Sequence, residues 1–319
     1  FLHAAGALTA SAVAPRAAWA QAAPLRILCP TTPGSIPDTI ARRYAEQLGP
    51  RYAGGVIVEN RPGAAGQIAI GALKQAAPDG ATVLLAAGAI ATVYPYLYAK
   101  LGYDPAADLK PVAVAAEATL ALAVGPAVPD NVRSLGEFIA WARGNATLAN
   151  FGSPGAGTLP HMVSALLFRQ AKIDAQHVAY AGGPPAIVDL LGGRLACLAL
   201  PEGLLRPHHA AGKLRVLATS GAARSAFMPD VPTFVEQGHP KLAIREWFGF
   251  FLPGAASPAV LGNASQALRA AAENKALGTV LGDMGMLANA GTPAATSERI
   301  ATEQRYWREV VATTGIRLE

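Results

Sequence analysis

Three loops rich in Gly, Pro and Ser each stand directly ahead of a helical pattern: Pro33-Gly34-Ser35-Ile36-Pro37-Asp38, Gly152-Ser153-Pro154-Gly155-Ala156-Gly157-Thr158, and Gly182-Gly183-Pro184-Pro185. A helix start offers unpaired N–H groups and a partial positive charge, and glycine lets an anion approach the backbone closely. Two such loops facing each other across a cleft make a carboxylate clamp that needs no charged side chain. Taken singly, each loop also reads as an ordinary strand-to-helix turn. Candidate ligand contacts are Gly34, Ser35, Ile36, Pro37 and Asp38 on the first loop, with Ser153, Gly157, Thr158 and Leu159 on the second. Gly182 and Gly183 on the third loop, and Ala87 and Gly88 at the end of a predicted strand, supply backbone groups. Asp38, at a helix start, can accept helix N–H groups and also hold a neighbouring loop.

Catalytic arrangements are missing. No serine lies in a G-x-S-x-G elbow, and the chain has no G-x-x-x-x-G-K-[ST] phosphate loop, no H-E-x-x-H and no Cys/His spacing suited to zinc. Catalysis, a cofactor and a metal site are therefore not expected. Glu117, Glu202 and Glu246 stand alone in apolar surroundings and would do acid–base work only if paired, which nothing in the sequence achieves. His161 reads as a satisfied polar group at a helix start, and His208-His209 as an exposed pair in a loop. Cys29 and Cys197 each sit in an apolar run without CxxC spacing, which favours two buried thiols over a disulfide.

Strands and helices must aim these loops. Residues 25–29 form a short apolar run ending in a turn, a strand signal, and Ile40, Ala41, Tyr44, Ala45 and Leu48 then repeat with helical spacing. Strands at 56–58 and 82–87 enclose a helix at 68–77, an alternation that implies right-handed crossovers and a largely parallel sheet. The apolar stretch 112–128 is too long for one ordinary strand and suggests strands running from one domain into another. Ser134 and Glu137 form a capping box for a helix ending near 143. Strands follow at 148–151, 177–180, 195–200 and 214–219, with helices at 159–171 and 185–191. A return strand at 247–252 and helices at 258–277 and 297–313 finish an α/β chain in which a second lobe is inserted into the first. No internal repeat is apparent after residue 24.

Apolar residues make up 52% of the 319 and charged ones 15%, which excludes a disordered chain. At ~150 residues per domain the length suggests about two domains. The 26 basic and 21 acidic groups leave +5, but Lys and Arg are scattered, so no nucleic-acid partner is expected. Residues 1–20 are Ala-rich and end in Ala18-Trp19-Ala20 before Gln21, the small-x-small pattern of a signal peptide. No later run reaches the ~18 uninterrupted apolar residues of a membrane span, so a soluble, exported protein is expected.

The loops taken together resemble one family, the Bug-type extracytoplasmic solute receptors of tripartite tricarboxylate transporters. The resemblance runs from about Leu25 to Arg317. It is carried by Pro33-Gly34 with Asp38 and Ala41-Arg42, by Val58-Glu59-Asn60-Arg61-Pro62-Gly63-Ala64-Ala65-Gly66, and by Ala76-Ala77-Pro78-Asp79-Gly80. Gly152-Ser153 with Gly157-Thr158 and His161, Leu190-Leu191-Gly192-Gly193, Gly212-Lys213-Leu214, Pro229-Asp230-Val231-Pro232-Thr233 and Trp247-Phe248-Gly249 continue it in order. It implies a two-lobe type II periplasmic-binding-protein fold, each lobe a mostly parallel sheet flanked by helices. The expected lobes are 25–123 with 246–319, and 124–245. It further implies a small carboxylate ligand held largely by backbone groups and ordered water, no catalysis, and membrane subunits of a transporter as partners for a monomeric receptor.

The chain departs from the family pattern where the pocket is expected. Ser35 stands for a second glycine, Ala86-Ala87-Gly88-Ala89-Ile90-Ala91 for a loop rich in Thr, Ser and His, Pro154 for a second serine, and Ala181 for a basic residue. Ala196 and Leu200 replace acidic positions. Apart from Ser35, each change removes a polar group, so an aromatic or branched carboxylate fits better than citrate. A sensor or scaffold derived from such a receptor is the alternative function.

Overall fold

The computed structural model describes residues 23–318; the signal peptide expected at 1–20 lies outside them. The strand Leu25–Cys29 (β1) leads through the first loop into the helix Ile36–Leu48 (α1), whose buried Ile40, Ala41, Tyr44 and Leu48 form the expected stripe. Val56–Asn60 (β2), Gln67–Lys74 (α2) and Thr82–Ala87 (β3) follow. β1 lies between β2 and β3 and parallel to both, as the strand–helix alternation requires. Two helical turns, Ala89–Thr92 (α3) and Tyr94–Leu97 (α4), come next and have no counterpart in the sequence reading. The turn Pro105–Asp108 (α5) then feeds a 16-residue strand, Leu109–Val124 (β4).

The helix Leu135–Gly144 (α6) carries the predicted capping box: Glu137 N–H donates to Ser134 Oγ at 3.2 Å, and Ser134 N–H to the Glu137 carboxylate at 2.9 Å. Asn150–Ser153 (β5), Leu159–Gln170 (α7), Gln176–Ala179 (β6), Gly183–Leu191 (α8) and Cys197–Pro201 (β7) keep the predicted order. The helix Glu202–Ala210 (α9) was not expected, and it corrects the reading of His208-His209 as a loop pair. Both are half-buried in its last turn, where His209 Nδ1 accepts from Val216 N–H at 3.3 Å. Arg215–Thr219 (β8) and Arg245–Pro253 (β9) follow. The single helix expected at 258–277 is two, Pro258–Ala272 (α10) and Lys275–Asp283 (α11), because Asn274 caps the second by accepting from Ala276 N–H. Met286–Ala288 (β10) and the helix Pro293–Thr314 (α12) complete the order.

The apolar run 112–128, expected to hold strands of two domains, is instead covered largely by β4 alone. From Leu109 to Thr119 it pairs antiparallel with β9, and β10 pairs its other edge at Ala116–Ala118. From Leu120 to Val124 its partners are β7 and β8. Ser220 ties this changeover: its Oγ accepts from Leu120 N–H at 3.0 Å and donates to the Ile244 carbonyl. A strand buried on both faces and both edges reads as a continuous apolar run, which is why periodicity alone could not divide it.

Trp247 on β9 is fully buried and keys the cleft end of the sheet. Its carbonyl accepts from Gly88 N–H at 2.8 Å, its Nε1 donates to Glu303 at 2.9 Å, and the Arg299 guanidinium lies 5.1 Å above its ring. A Cβ on Gly88 would collide with the indole, so glycine here leaves room for the ring. Gly88→Ala should therefore destabilise the protein by about 1–3 kcal/mol, the usual cost of overpacking. Urea unfolding measures this, and an unchanged midpoint would mean that the indole can give way.

Candidate functional site

The starts of α1, α7 and α8 open onto one cleft of about 650 Å³. Pro37, Pro160 and Pro184 take an early position in the three helices and carry no N–H, leaving Ile36, Leu159 and Gly183 to present the first donors. The structure brings Gly34, Ser35, Ile36, Pro37, Ala87, Thr158, Leu159, Gly182 and Gly183 to the cleft wall. Asp38, Gly88, Ser153 and Gly157 do not line it. Each of these four has work beside the cleft instead.

Asp38 is buried and its carboxylate is fully engaged. It accepts from Gly34 N–H at 2.8 Å, Asn60 Nδ2 at 2.8 Å and Arg42 Nε at 3.0 Å, and Asn60 also donates to the Thr31 carbonyl. Burial alone would raise its pKa, but the hydrogen bonds from Arg42, Gly34 and Asn60 outweigh that and hold it below the usual value. The second loop has the same construction. Gly157 N–H donates to His161 Nδ1 at 3.0 Å, and Thr158 caps α7 while its hydroxyl donates to the Gly155 carbonyl at 2.8 Å. His161 is a satisfied polar group, as expected; burial, with His177 stacked 3.9 Å away, pushes its pKa down to about 3. Ser153 is held by His177 Nε2 at 2.7 Å.

The two loops are one pattern used twice: Gly34-Ser35-Ile36-Pro37-Asp38 and Gly157-Thr158-Leu159-Pro160-His161. In both, a glycine in the left-handed region (φ +79° and +81°) donates its N–H to the third helical residue. This short repeat corrects the expectation of no internal repeat after residue 24. The signal is a run of five residues, Gly-[Ser/Thr]-[Ile/Leu]-Pro-[Asp/His].

The remaining wall is apolar, with Pro30, Ile90, Leu200, Leu204 and Phe248 among its residues. Of the positions where the chain departs from the family pattern, Ser35, Ala87, Ala89, Ile90, Pro154, Ala181 and Leu200 line it, while Ala86, Gly88, Ala91 and Ala196 do not. Among the described residues lining it there is no Lys, Arg or His. Tyr94, Tyr98 and Tyr180 add hydroxyls, and Tyr98 reaches the Ala156 carbonyl at 3.4 Å, joining α4 to the loop before α7. Sequence reasoning missed Tyr94 and Tyr98, whose i, i+4 spacing flanks the short turn. It singled out Glu246 only as an isolated acid. Glu117 and Glu202 lie off the cleft wall: Glu117 pairs with Arg299 and Asn289, and Glu202 accepts from Ser225 at 2.6 Å. Cys29 and Cys197 are buried free thiols. Among the described residues no group of His, Cys, Asp and Glu is placed to hold a metal ion, and no helix is long and apolar enough to cross a membrane.

The family model for the tripartite tricarboxylate transporter family receptor matches residues 40–316. The chain belongs to that family. Among its relatives, the protein BugT of Bordetella pertussis is 30% identical over 93% of this chain and 91% of its own length. A UPF0065 protein of Bordetella bronchiseptica is 30% identical over 92% of this chain and 86% of its own. Among solved structures, the R. palustris protein Rpa4515 with adipate matches this receptor with a TM-score of 0.85 at 26% identity, covering 92% of this chain and 98% of that one. MatC from Rhodopseudomonas palustris with bound malate gives 0.83 at 26%, covering 90% and 98%. The periplasmic binding protein BugD shares the fold, with a TM-score of 0.84 at 24% identity over 93% of this chain and 99% of that one. The receptor thus has the two-lobe type II periplasmic-binding-protein fold, and its family and structural neighbours are solute-binding proteins.

Removing the Asp38 carboxylate strands the Gly34 N–H and one N–H of the Asn60 amide together. Asp38→Ala is expected to cost about 1–3 kcal/mol in thermal unfolding at pH 7. Because the native pKa is lowered, the contribution is present above the unfolded value of about 3.9 and disappears as pH falls through the native one. A variant as stable as the parent at pH 7 would show that the first loop holds its shape without Asp38.

Proposed function

We propose that the chain is a periplasmic receptor that captures a small carboxylate-bearing molecule and delivers it to the membrane subunits of a tripartite tricarboxylate-type transporter. One observation carries this reading: three helix starts converge on a single cleft whose lining, among the described residues, contains no cationic side chain. Fixed N–H dipoles at helix starts favour an anion, and ordered water fills the gaps between them. The adipate and malate held by two structural neighbours are carboxylates of the same kind. The lobes in this reading are 25–123 with 246–319, and 124–245. The change of β4 partners between Thr119 and Leu120, with Ser220 joining Leu120 to Ile244, supports crossings close to those boundaries. The receptor acts as an exported monomer without catalytic chemistry or cofactor, and Asp38 and His161 set the loops without touching the solute.

The apolar wall selects the body of the ligand. A carboxylate with an aromatic, branched or methylene body buries apolar surface there, whereas each unmatched polar group of citrate costs about 1–3 kcal/mol. The alanine-rich segment 86–91 favours a second reading, a sensor or scaffold that has lost its solute. Thermal-shift measurements against phenylacetate, branched monocarboxylates, adipate and citrate separate them. The receptor reading expects stabilisation by carboxylates with apolar bodies, about 2.7 kcal/mol at 100 times the dissociation constant, and little from citrate. No stabilisation by any carboxylate would favour the sensor or scaffold.

A further inference from the structure

Glu246 belongs to the cleft but has no partner there. It stands near the start of β9, opposite Ala118 of β4 and next to Trp247, whose carbonyl holds Gly88. It is 4% exposed, lines the cleft, and its Oε1 has no hydrogen-bond partner. The charged or titratable groups facing it are Tyr94 from α4 and Arg299 and Glu303 from α12. Arg299 is committed elsewhere, to Glu117 and to Glu303 at 2.8 Å, with its guanidinium over the Trp247 ring. Glu303 accepts from the indole Nε1–H of Trp247. An acid in this position faces an apolar space with no cation of its own, and an unpaired buried charge is costly enough that such a group keeps its proton instead.

We propose that Glu246 is a ligand-binding residue that meets the solute as a carboxylic acid, its O–H donating to an oxygen of the bound carboxylate, so that capture of the anion depends on protonation of the cleft. The role rests on the receptor reading and adds to it one side-chain donor among the backbone ones. Burial, reinforced by Glu303 and only partly offset by Arg299 and the backbone N–H of Trp247, pushes the pKa up to about 8. Below that the acid is a neutral donor; above it a carboxylate would repel the ligand and would lose the donor. A bound anion raises the pKa further, so binding above pH 8 must take up a proton from solution. Other titrating groups nearby do not mimic this: Tyr180 is pushed up to about 12 by burial and Asp189, and His161 down to about 3.

Calorimetric titration with phenylacetate and adipate between pH 6 and 9.5 tests the assignment. The parent should bind with constant affinity up to about pH 8 and lose about tenfold per pH unit beyond, the slope of one required proton. At pH 9 the heat should depend on the ionisation enthalpy of the buffer, reporting proton uptake approaching one per ligand. Glu246→Gln keeps a neutral donor and should bind with no such fall and no proton uptake; Glu246→Leu should bind weakly at every pH. Ligand-free unfolding gives a folding control. With the native pKa above the unfolded value of about 4.3, the stabilising proton is fully effective below the lower value and lost as pH rises through the upper one. Glu246→Gln should therefore gain on the parent in melting temperature from pH 5 to 8. A pH-independent parent affinity, or the same fall in the Gln variant, overturns the role of Glu246 alone. Failure of every probe to bind at any pH overturns the receptor reading and this assignment with it.

Discussion

Backbone N–H groups can hold an anion only if the loops that present them are already fixed, and one hydrogen bond used twice does the fixing. Gly34 gives its N–H to Asp38 and Gly157 gives its N–H to His161, each across a tight turn into the first turn of the following helix. The bond needs a left-handed glycine, since another residue type at φ near +80° is strained. It also needs a buried acceptor at the third helical position. The two acceptors meet that need by different chemistry: Asp38 stays charged because Arg42 and Asn60 surround it, whereas His161 stays neutral because burial against His177 forbids its charge. Neither spends its polarity on the cleft, so the helix starts stay free to share the polar part of the wall with Tyr94, Tyr98, Tyr180 and Glu246.

Those helix starts face each other because of β4. One strand that pairs with β9 over its first part and with β7 and β8 over its last fixes the two groups of strands relative to each other without a flexible linker. Its register shifts near Val112 and Ala115 and between Leu122 and Ala123 bend the strand without breaking it. Ser220 satisfies Leu120 and Ile244 at the changeover, where a strand leaving one set of partners would otherwise bury unmatched backbone groups. Trp247 then locks the cleft end of β9 against Gly88.

Much of this was legible in the sequence. The strands Leu25–Cys29 and Thr82–Ala87, the helix carrying Ile40, Tyr44 and Leu48, and the Ser134 capping box depend on local signals: apolar runs bounded by turns, helical spacing, and a cap with its partner three residues on. The loops that reach the cleft were legible for the same reason, since Gly and Pro before a helix mark the chain locally. What escaped depended on distant contacts. Gly88 looked like backbone offered to a ligand because the indole that fills its space lies far along the chain on β9. β4 was hard to divide because it is apolar on every side, and α9 because Pro207 and two histidines argue against a helix that tertiary packing nonetheless supports.

A cleft lined, among the described residues, by no cationic side chain sets different terms for recognition from one built on Arg or Lys. A buried cation must itself be desolvated, and in the empty cleft it would need a partner that the ligand then has to displace. Helix-start dipoles carry no net charge, so an empty cleft lined with them and with apolar side chains is stable without a counter-ion. They also have few rotamers to lose when the ligand arrives, which limits the ordering cost of association. The limit is strength: partial charges of about half an elementary charge per helix offset the three carboxylates of a citrate poorly. On the receptor reading proposed above, selection would then fall to the apolar part of the wall, which Ile90, Leu200, Leu204 and Phe248 line. Ala, Leu and Pro at these pocket positions would on that reading narrow the class of anion admitted while leaving the helix starts free to hold a carboxylate.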